Sequence, residues 1–417
     1  MVAAYKTLNN QSGLANPMLT SSSWLLWATS LALLGWLYLI LGRGSPWRAE
    51  SMLDAALPAQ MHMPDLVAVV PARNEADYIG RSLRSLLAQD YPGRLRVILV
   101  DDHSEDATRA IAQAVPVPPG RELEVIDAPP LPPGWSGKLW AVSEGLREVA
   151  RRMPDVPYVL LTDADVEHDA GNLRRLMAKA EKDHLDLVSL MVSLHCEYLW
   201  ERLLSPAYVF FFRQMYPFAA VSRQRSATAA AAGPCMLVRR EALTRVGGIE
   251  AIHGCLIDDV SLARRIKNYP TPGAGRIWLG LTGRSHSMRG QAGIGEVWEM
   301  VVRYADTQLG HSLVLLALTV TAMLVLYLVP PLAVLGWPLH GSPVVAALGL
   351  AGWSCMTFAY WPIVQLHGLR PYWALTLPLA AVLYTAMTVD SAVQHRRGSG
   401  GRWKGRVAAL ELPPPSR

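Results

Sequence analysis

The run Tyr158 to Leu161 is apolar and ends in Thr162, Asp163, Ala164 and Asp165, within the stretch LLTDADVEHD. A short unbroken apolar run is the pattern of a strand buried on both faces of a parallel sheet. Ligands in open α/β sheets gather at the carboxyl ends of such strands. Two carboxylates one residue apart at that point are hard oxygen donors, suited to a divalent cation that holds a diphosphate. Aspartate is equally at home in helix N-caps and turns, so the pair alone leaves both readings open.

The rest of the chain repeats the pattern. Leu66 to Val70 is a second apolar run, ended by PARNEADYI, after which Ile79, Leu83, Leu86 and Leu87 recur at helical spacing. Leu95 to Val100 is closed by Asp101 and Asp102, with Ser104, Glu105 and Asp106 suited to start a helix. Strand-like LEVIDA at 123–128 leads into GWSGKLWAVSEGL, a loop from which Lys138 opens another helix. Alternating runs and helical patterns predict an α/β fold with a doubly wound, mostly parallel sheet. Its strand ends would bring Pro71, Ala72, Arg73, Asn74 and Glu75, then Asp102, then Asp163 and Asp165, to one rim, as a nucleotide-sugar site requires.

The series VVPARNEADYIGRSLRSLLAQDYP, VILVDDHSEDAT, GKLWAVSEG, LLTDAD, GPCMLVRREALTRVGG and LIDDVSLARRIK resembles the inverting family 2 glycosyltransferases, in the same order, over residues 65–305. Within that family the pattern is most similar to the hopanoid-biosynthesis-associated glycosyltransferases of bacteria. The resemblance implies a GT-A nucleotide-diphospho-sugar transferase domain and assigns roles. Asp259 matches the catalytic base and Asp258 its acidic neighbour, although both also suit the first turn of a helix, where the dipole favours acids. The loop Pro71 to Glu75 and Asp102 would hold the nucleotide base and ribose. Lys138 would meet the diphosphate or the uracil end of the donor. Asp165 would bind the metal directly, and Asp163 would bind the ribose or support the metal through water. Mg2+ or Mn2+ suits an oxygen-only site shared with phosphate. Processive members carry Gln-x-x-Arg-Trp after the acidic pair. Here the register reads Met300, Val301, Val302, Arg303, Tyr304, so Arg303 remains as a support at the diphosphate while the loss of Gln and Trp argues against a polysaccharide-extruding synthase. His286 is either a third metal ligand or an ordinary loop histidine.

Composition matters here because the apolar excess, 51% hydrophobic against 18% charged, is segregated. Trp24 to Leu41 is an uncharged apolar run long enough to span a bilayer. Leu313 to Leu339, Val344 to Leu366 and Tyr372 to Val393 are further candidates, the last containing Asp390. The expected layout is a tail at 1–23, a transmembrane helix at 24–42, the GT-A domain at 60–308, a membrane region of two or three helices at 313–393 and a basic tail at 394–417. Lys6 is the only basic residue before the first span, and Arg43 and Arg48 follow it. That asymmetry places the catalytic domain in the cytoplasm, in a multi-pass protein of the bacterial inner membrane. The basic tail should be cytoplasmic by the same rule, yet three full C-terminal spans would put it outside. The expectation is a cytoplasmic tail, with one C-terminal segment failing to cross.

The segment 198–221 is apolar and aromatic but interrupted by Glu201, Arg202, Pro206 and Arg213, so a span is disfavoured and the expectation is a surface helix at the membrane interface, with a core helix as the alternative. Cys196, Cys235, Cys255 and Cys355 form no CxxC pair and read as reduced thiols. A net charge of +5 fits contacts with anionic lipid, and no nucleic-acid module is visible. The expected activity moves a sugar from a nucleotide-diphosphate donor, a UDP-sugar, to a lipid acceptor in hopanoid or related polyisoprenoid biosynthesis. A polyprenyl-phosphate sugar synthase or a carotenoid glycosyltransferase is the enzyme alternative. A non-catalytic transport or scaffold protein is the alternative of another class, and the intact acids argue against it.

Overall fold

The structure, a computed structural model, describes residues 17–42, 52–53, 63–271 and 273–397, with the pairs 402–403 and 406–407. Lys6, Arg43, Arg48, the chain before 17 and most of the basic tail after Arg397 lie outside the described residues. One eight-stranded sheet organises the middle of the chain. Its strands are β1 (Leu66–Ala72), β2 (Leu95–Asp101), β3 (Arg121–Asp127), β4 (Tyr158–Thr162), β5 (Val166–Glu167), β6 (Leu187–Ser193), β7 (Cys235–Arg239) and β8 (Ile277–Ser287), in the order β3-β2-β1-β4-β7-β6-β8-β5. The predicted runs make the parallel half, β3-β2-β1-β4. Beyond it β7 runs antiparallel to both β4 and β6, β6 pairs in parallel with β8, and β5 closes the edge antiparallel to β8.

Register fixes the rim. Ala72 pairs with Asp101, and Leu161 with Val69, so the loops after β1, β2 and β4 start at one level. The antiparallel pairing of Thr162 with Cys235 brings Gly233 and Pro234 to the same edge. The helix Gly137–Arg152 crosses this sheet at close range. A Cβ at Gly145 would sit 2.4 Å from the Val69 side chain and 3.1 Å from that of Val100, so the absent side chain is what lets the helix lie on β1 and β2. Its N-terminus, capped by Ser136 accepting from the Leu139 amide, presents Lys138 at the strand ends.

Among the described residues, four helices are long and apolar enough to cross a membrane: Ser23–Leu41, Leu313–Leu335, Pro343–Leu366 and Pro371–Arg396. In the second, a π turn at Leu324–Leu328 precedes Pro330 and Pro331, which cannot donate to the helical ladder. The helix Leu199–Met215 packs on this bundle rather than lying bare at an interface, so the core-helix alternative replaces the expected interfacial helix. Phe210 meets Trp36 and Tyr360, while Phe211 meets Tyr327 and Tyr384, with ring centroids 5.2–6.4 Å apart. Polar groups fix the register: Tyr327 donates to Gln214 at 2.7 Å, and Tyr384 donates to the Leu204 carbonyl at 2.9 Å. Glu201 is 1% exposed and accepts the amides of Glu197, Tyr198 and Gln291, with His195 beside it.

The last helix returns to where the C-terminal helices begin. Asp390 accepts from the Trp298 indole at 2.7 Å, and Ser391 accepts the Asp306 amide at 2.9 Å. The rings of His311 and His395 are 5.4 Å apart, with Asp306 between them. The start of the C-terminal apolar helices and the end of the last one therefore lie together. Among the described residues, three apolar helices lie between these two ends.

Deleting residues 1–45 and everything after residue 308 removes Trp36, Tyr327, Tyr360 and Tyr384, which meet Phe210, Phe211 and the Leu204 carbonyl. Such a protein is expected to aggregate without detergent, because a bare apolar patch of this kind seeks another surface. Gel filtration checks this, and a monodisperse detergent-free domain would count against the packing role of that helix.

Candidate active site

The rim is held rigid by left-handed residues and short polar ties. Asn74 and His103, at φ 52° and 55°, turn the chain after β1 and β2. Asn74 accepts the Glu105 amide at 2.9 Å and donates its own amide to Ser104 at 3.0 Å, while the Glu75 amide donates to Thr108 at 2.6 Å. Arg73 donates to the Asp102 carbonyl at 2.9 Å and lies 3.8 Å from its carboxylate, which is 2% exposed. Pro71 and Ala72 end β1 at the same level, the Ala72 carbonyl accepting the Asp102 amide at 2.8 Å. The first two strand-end loops thus form one unit.

Next to it lie two acidic clusters, each with its own cation. In the first, Lys138 Nζ is 2.7 Å from Asp163 and 3.7 Å from Asp258. Burial opposes the lysine charge, but Asp163, Asp258 and Asp259 outweigh it and hold its pKa well above the usual lysine value. Asp258 and Asp259 open the helix Asp258–Lys267, as the resemblance implies. Asp259 accepts the Gly233 amide on one oxygen at 2.9 Å and the Val260 amide on the other at 2.7 Å. Burial, then repulsion from Asp258, push its carboxyl up to about 7 against the opposing pull of Lys138 and the two amides.

In the second cluster Arg289 bridges Asp165, at 2.9 Å, and Glu75. Burial, then repulsion from Asp163, raise the Asp165 carboxyl, and Arg289 opposes them. Arg289 was not singled out from the sequence. It follows directly on β8, a strand the apolar-run pattern did not bring out, and the attention that fell on GRSHSMRG went to His286. That histidine pairs with Glu167 at 3.2 Å across β5 and β8, the behaviour of an ordinary strand residue. Arg303 is also apart from the acids among the described residues. Its guanidinium lies over the Tyr304 ring, 5.5 Å from the centroid, with the Tyr304 hydroxyl at 3.4 Å.

Asp258 and Asp259 open onto a cavity of about 490 Å³. Tyr208 and Phe212 of the Leu199–Met215 helix form one wall, Met300 and Tyr304 another, and Thr319 with Thr388 reach it from the apolar helices. A continuous space therefore runs from the Asp258–Asp259 pair to the bundle.

Residues 64–275 match the family model described as glycosyltransferase like family 2. The chain belongs to that family. Two curated relatives are similar over shorter stretches. The succinoglycan biosynthesis protein ExoO of Rhizobium meliloti (strain 1021) is 34% identical over 140 residues, 32% of this chain and 36% of that protein. The beta-monoglucosyldiacylglycerol synthase of Synechocystis sp. (strain ATCC 27184 / PCC 6803 / Kazusa) is 34% identical over 160 residues, 37% of this chain and 30% of that protein. The chain thus spans about a third of the length of the curated relatives it matches. Among solved structures, a Pyrobaculum calidifontis mannosyltransferase in complex with GDP-Man and Mn2+ aligns at TM-score 0.50 and 19% identity, covering 89% of this chain and 98% of its own. That likeness is one of fold, and the fold of the family 2 domain is GT-A.

The donor set of this family 2 domain fits a divalent cation. Asp163 and Asp165 are carboxylate donors one residue apart, paired with Lys138 and Arg289 respectively, and no three His, Cys, Asp or Glu side chains among the described residues form a ready-made ion site. Two carboxylates completed by diphosphate oxygens and water are what Mg2+ or Mn2+ accepts.

Proposed function

We propose that this family 2 enzyme transfers a sugar, with inversion, from a nucleoside-diphosphate donor to the hydroxyl of a membrane lipid. The observation that carries the reading is the cavity joining Asp259 to the apolar helices, because it gives a lipid a path to a candidate base. The donor would lie on the rim, with its nucleoside end at the loop Pro71 to Glu75 and Asp102. Asp165 and Asp163 would hold the cation, which supplies positive charge to the leaving diphosphate. Lys138, held by Asp163 and Asp258, keeps a fixed positive charge beside the departing group. The acceptor oxygen attacks the anomeric carbon and forms the new C–O bond. The bond from that carbon to the diphosphate oxygen breaks with its electron pair leaving on the diphosphate, and Asp259 takes the hydroxyl proton.

Resemblance points the acceptor toward a hopanoid or related polyisoprenoid lipid, and one curated relative is named for a glucosyldiacylglycerol product. The spacing of His311 and His395 supports a multi-pass protein whose tail shares the side of the catalytic domain, which the positive-inside rule makes cytoplasmic. Incubating membranes that contain the full chain with a panel of labelled nucleotide sugars, then analysing the lipid extract by mass spectrometry, tests the reading. One lipid is expected to gain one hexose mass, in a metal-dependent way. Label found only in water-soluble products would overturn it.

A further inference from the structure

The chemistry of the cavity narrows the acceptor. We infer that it is an uncharged alcohol lipid, not a lipid phosphate; this rests on the lipid-acceptor reading above. Asp258 and Asp259 are the only charged side chains among the described lining residues, and both are acids. The other polar groups are neutral: Gln214, Gln308, Thr319, Thr385 and Thr388, with tyrosine hydroxyls. Arg303 lies over the Tyr304 ring and Arg264 acts on the Tyr216 hydroxyl, yet neither lines the space. Lys138 is already bound between Asp163 and Asp258.

A phosphate monoester carries between one and two negative charges at neutral pH, and sites that hold one supply arginine, lysine or a row of amides. Here it would be buried among aromatic rings and aimed at two carboxylates. A neutral hydroxyl meets no such repulsion, and its O–H can donate to Asp259. The reaction agrees. A phosphate acceptor has already lost its proton and needs no base, whereas an alcohol must lose one as its oxygen attacks. A carboxylate held in a largely apolar surrounding, near the attacking atom, has work only with the alcohol.

The test compares geranylgeraniol with geranylgeranyl monophosphate, which share a prenyl chain and differ in the phosphate. Binding of each labelled probe to the full chain in detergent is measured at pH 7.5 with EDTA, so that no cation masks the phosphate. The alcohol is expected to bind at least ten times more tightly, and Thr388→Arg, which puts a cation into the lining, should narrow or reverse the gap. Thr385→Trp should abolish alcohol binding by filling the space, with Thr319→Trp as a second variant from another wall should the first fold poorly. Equal or tighter binding of the phosphate to the unmodified chain overturns the inference and leaves a lipid acceptor standing. If neither probe binds, the lipid-acceptor reading falls and takes this inference with it.

Discussion

Asp259→Asn is expected to lower sugar transfer by about 100-fold or more while leaving donor affinity near that of the unmodified enzyme. A positioned general base contributes on that scale, and a factor of 100 corresponds to about 2.7 kcal/mol of barrier. Asparagine keeps the size of the side chain but cannot take the acceptor proton. It has one acceptor oxygen where Asp259 uses two, for the Gly233 and Val260 amides, so one amide will face an NH2 group. Thermal unfolding and donor titration must therefore accompany the kinetics, to separate lost chemistry from a disturbed helix start. Unimpaired turnover would remove Asp259 from the base role. The pH profile sharpens the assignment. With its carboxyl pushed up to about 7, Asp259 is protonated and idle in acid and becomes competent as the pH rises through 7, so kcat/KM should fall below that point. Repulsion from Asp258 contributes to the elevation, so Asp258→Asn should retain most activity and move the acid limb to lower pH. A limb that stays in place would break the link between the two carboxylates.

Asp165→Ala is the second large effect: the affinity for UDP should lose its dependence on Mn2+. In the unmodified enzyme, calorimetry should show UDP binding at least tenfold tighter with Mn2+ than with EDTA, because a cation shared by carboxylates and diphosphate offsets the charge of both. Without Asp165 the protein offers one carboxylate, Asp163, already paired with Lys138 at 2.7 Å. The cation must also compete with Arg289, which pairs with Asp165 and Glu75. The variant leaves that arginine paired with Glu75 alone, so its residual affinity should be governed by guanidinium and lysine charge and should be insensitive to EDTA. A Mn2+ effect of undiminished size in Asp165→Ala would show that the ion is held elsewhere.

The parallel half of the sheet and the rim acids are legible in the sequence because both obey local rules. Leu66–Val70, Leu95–Val100 and Tyr158–Leu161 are unbroken apolar runs, and each is followed by polar residues at the point where chemistry collects. The antiparallel strand β7 is not legible as such, since CMLVR reads the same whichever way it pairs. Arg289 is hidden for a related reason: it reaches Asp165 and Glu75 only because β8 returns the chain to the rim more than 120 positions later. Nothing in the spacing of SHSMRG announces that return. Roles carried by resemblance divide by location. Asp163, Lys138, Asp258 and Asp259 assemble as one group, whereas Arg303, placed by a register that matches at one position only, stands with Tyr304. Likewise, hydropathy detects the apolar helices but not that the last one docks along Ile294–Gln308, because Trp298 to Asp390 is a contact across 92 positions.

Under the proposed function, a lipid would reach Asp259 by sliding sideways through the bilayer, because the cavity is walled in part by Thr319 and Thr388 from the apolar helices. The concentration the enzyme responds to is then a mole fraction in a two-dimensional solvent. Adding buffer to a suspension of vesicles leaves that quantity unchanged, and adding inert lipid lowers it. Saturation with such an acceptor would be a property of membrane composition, set by how many other lipids share the sheet.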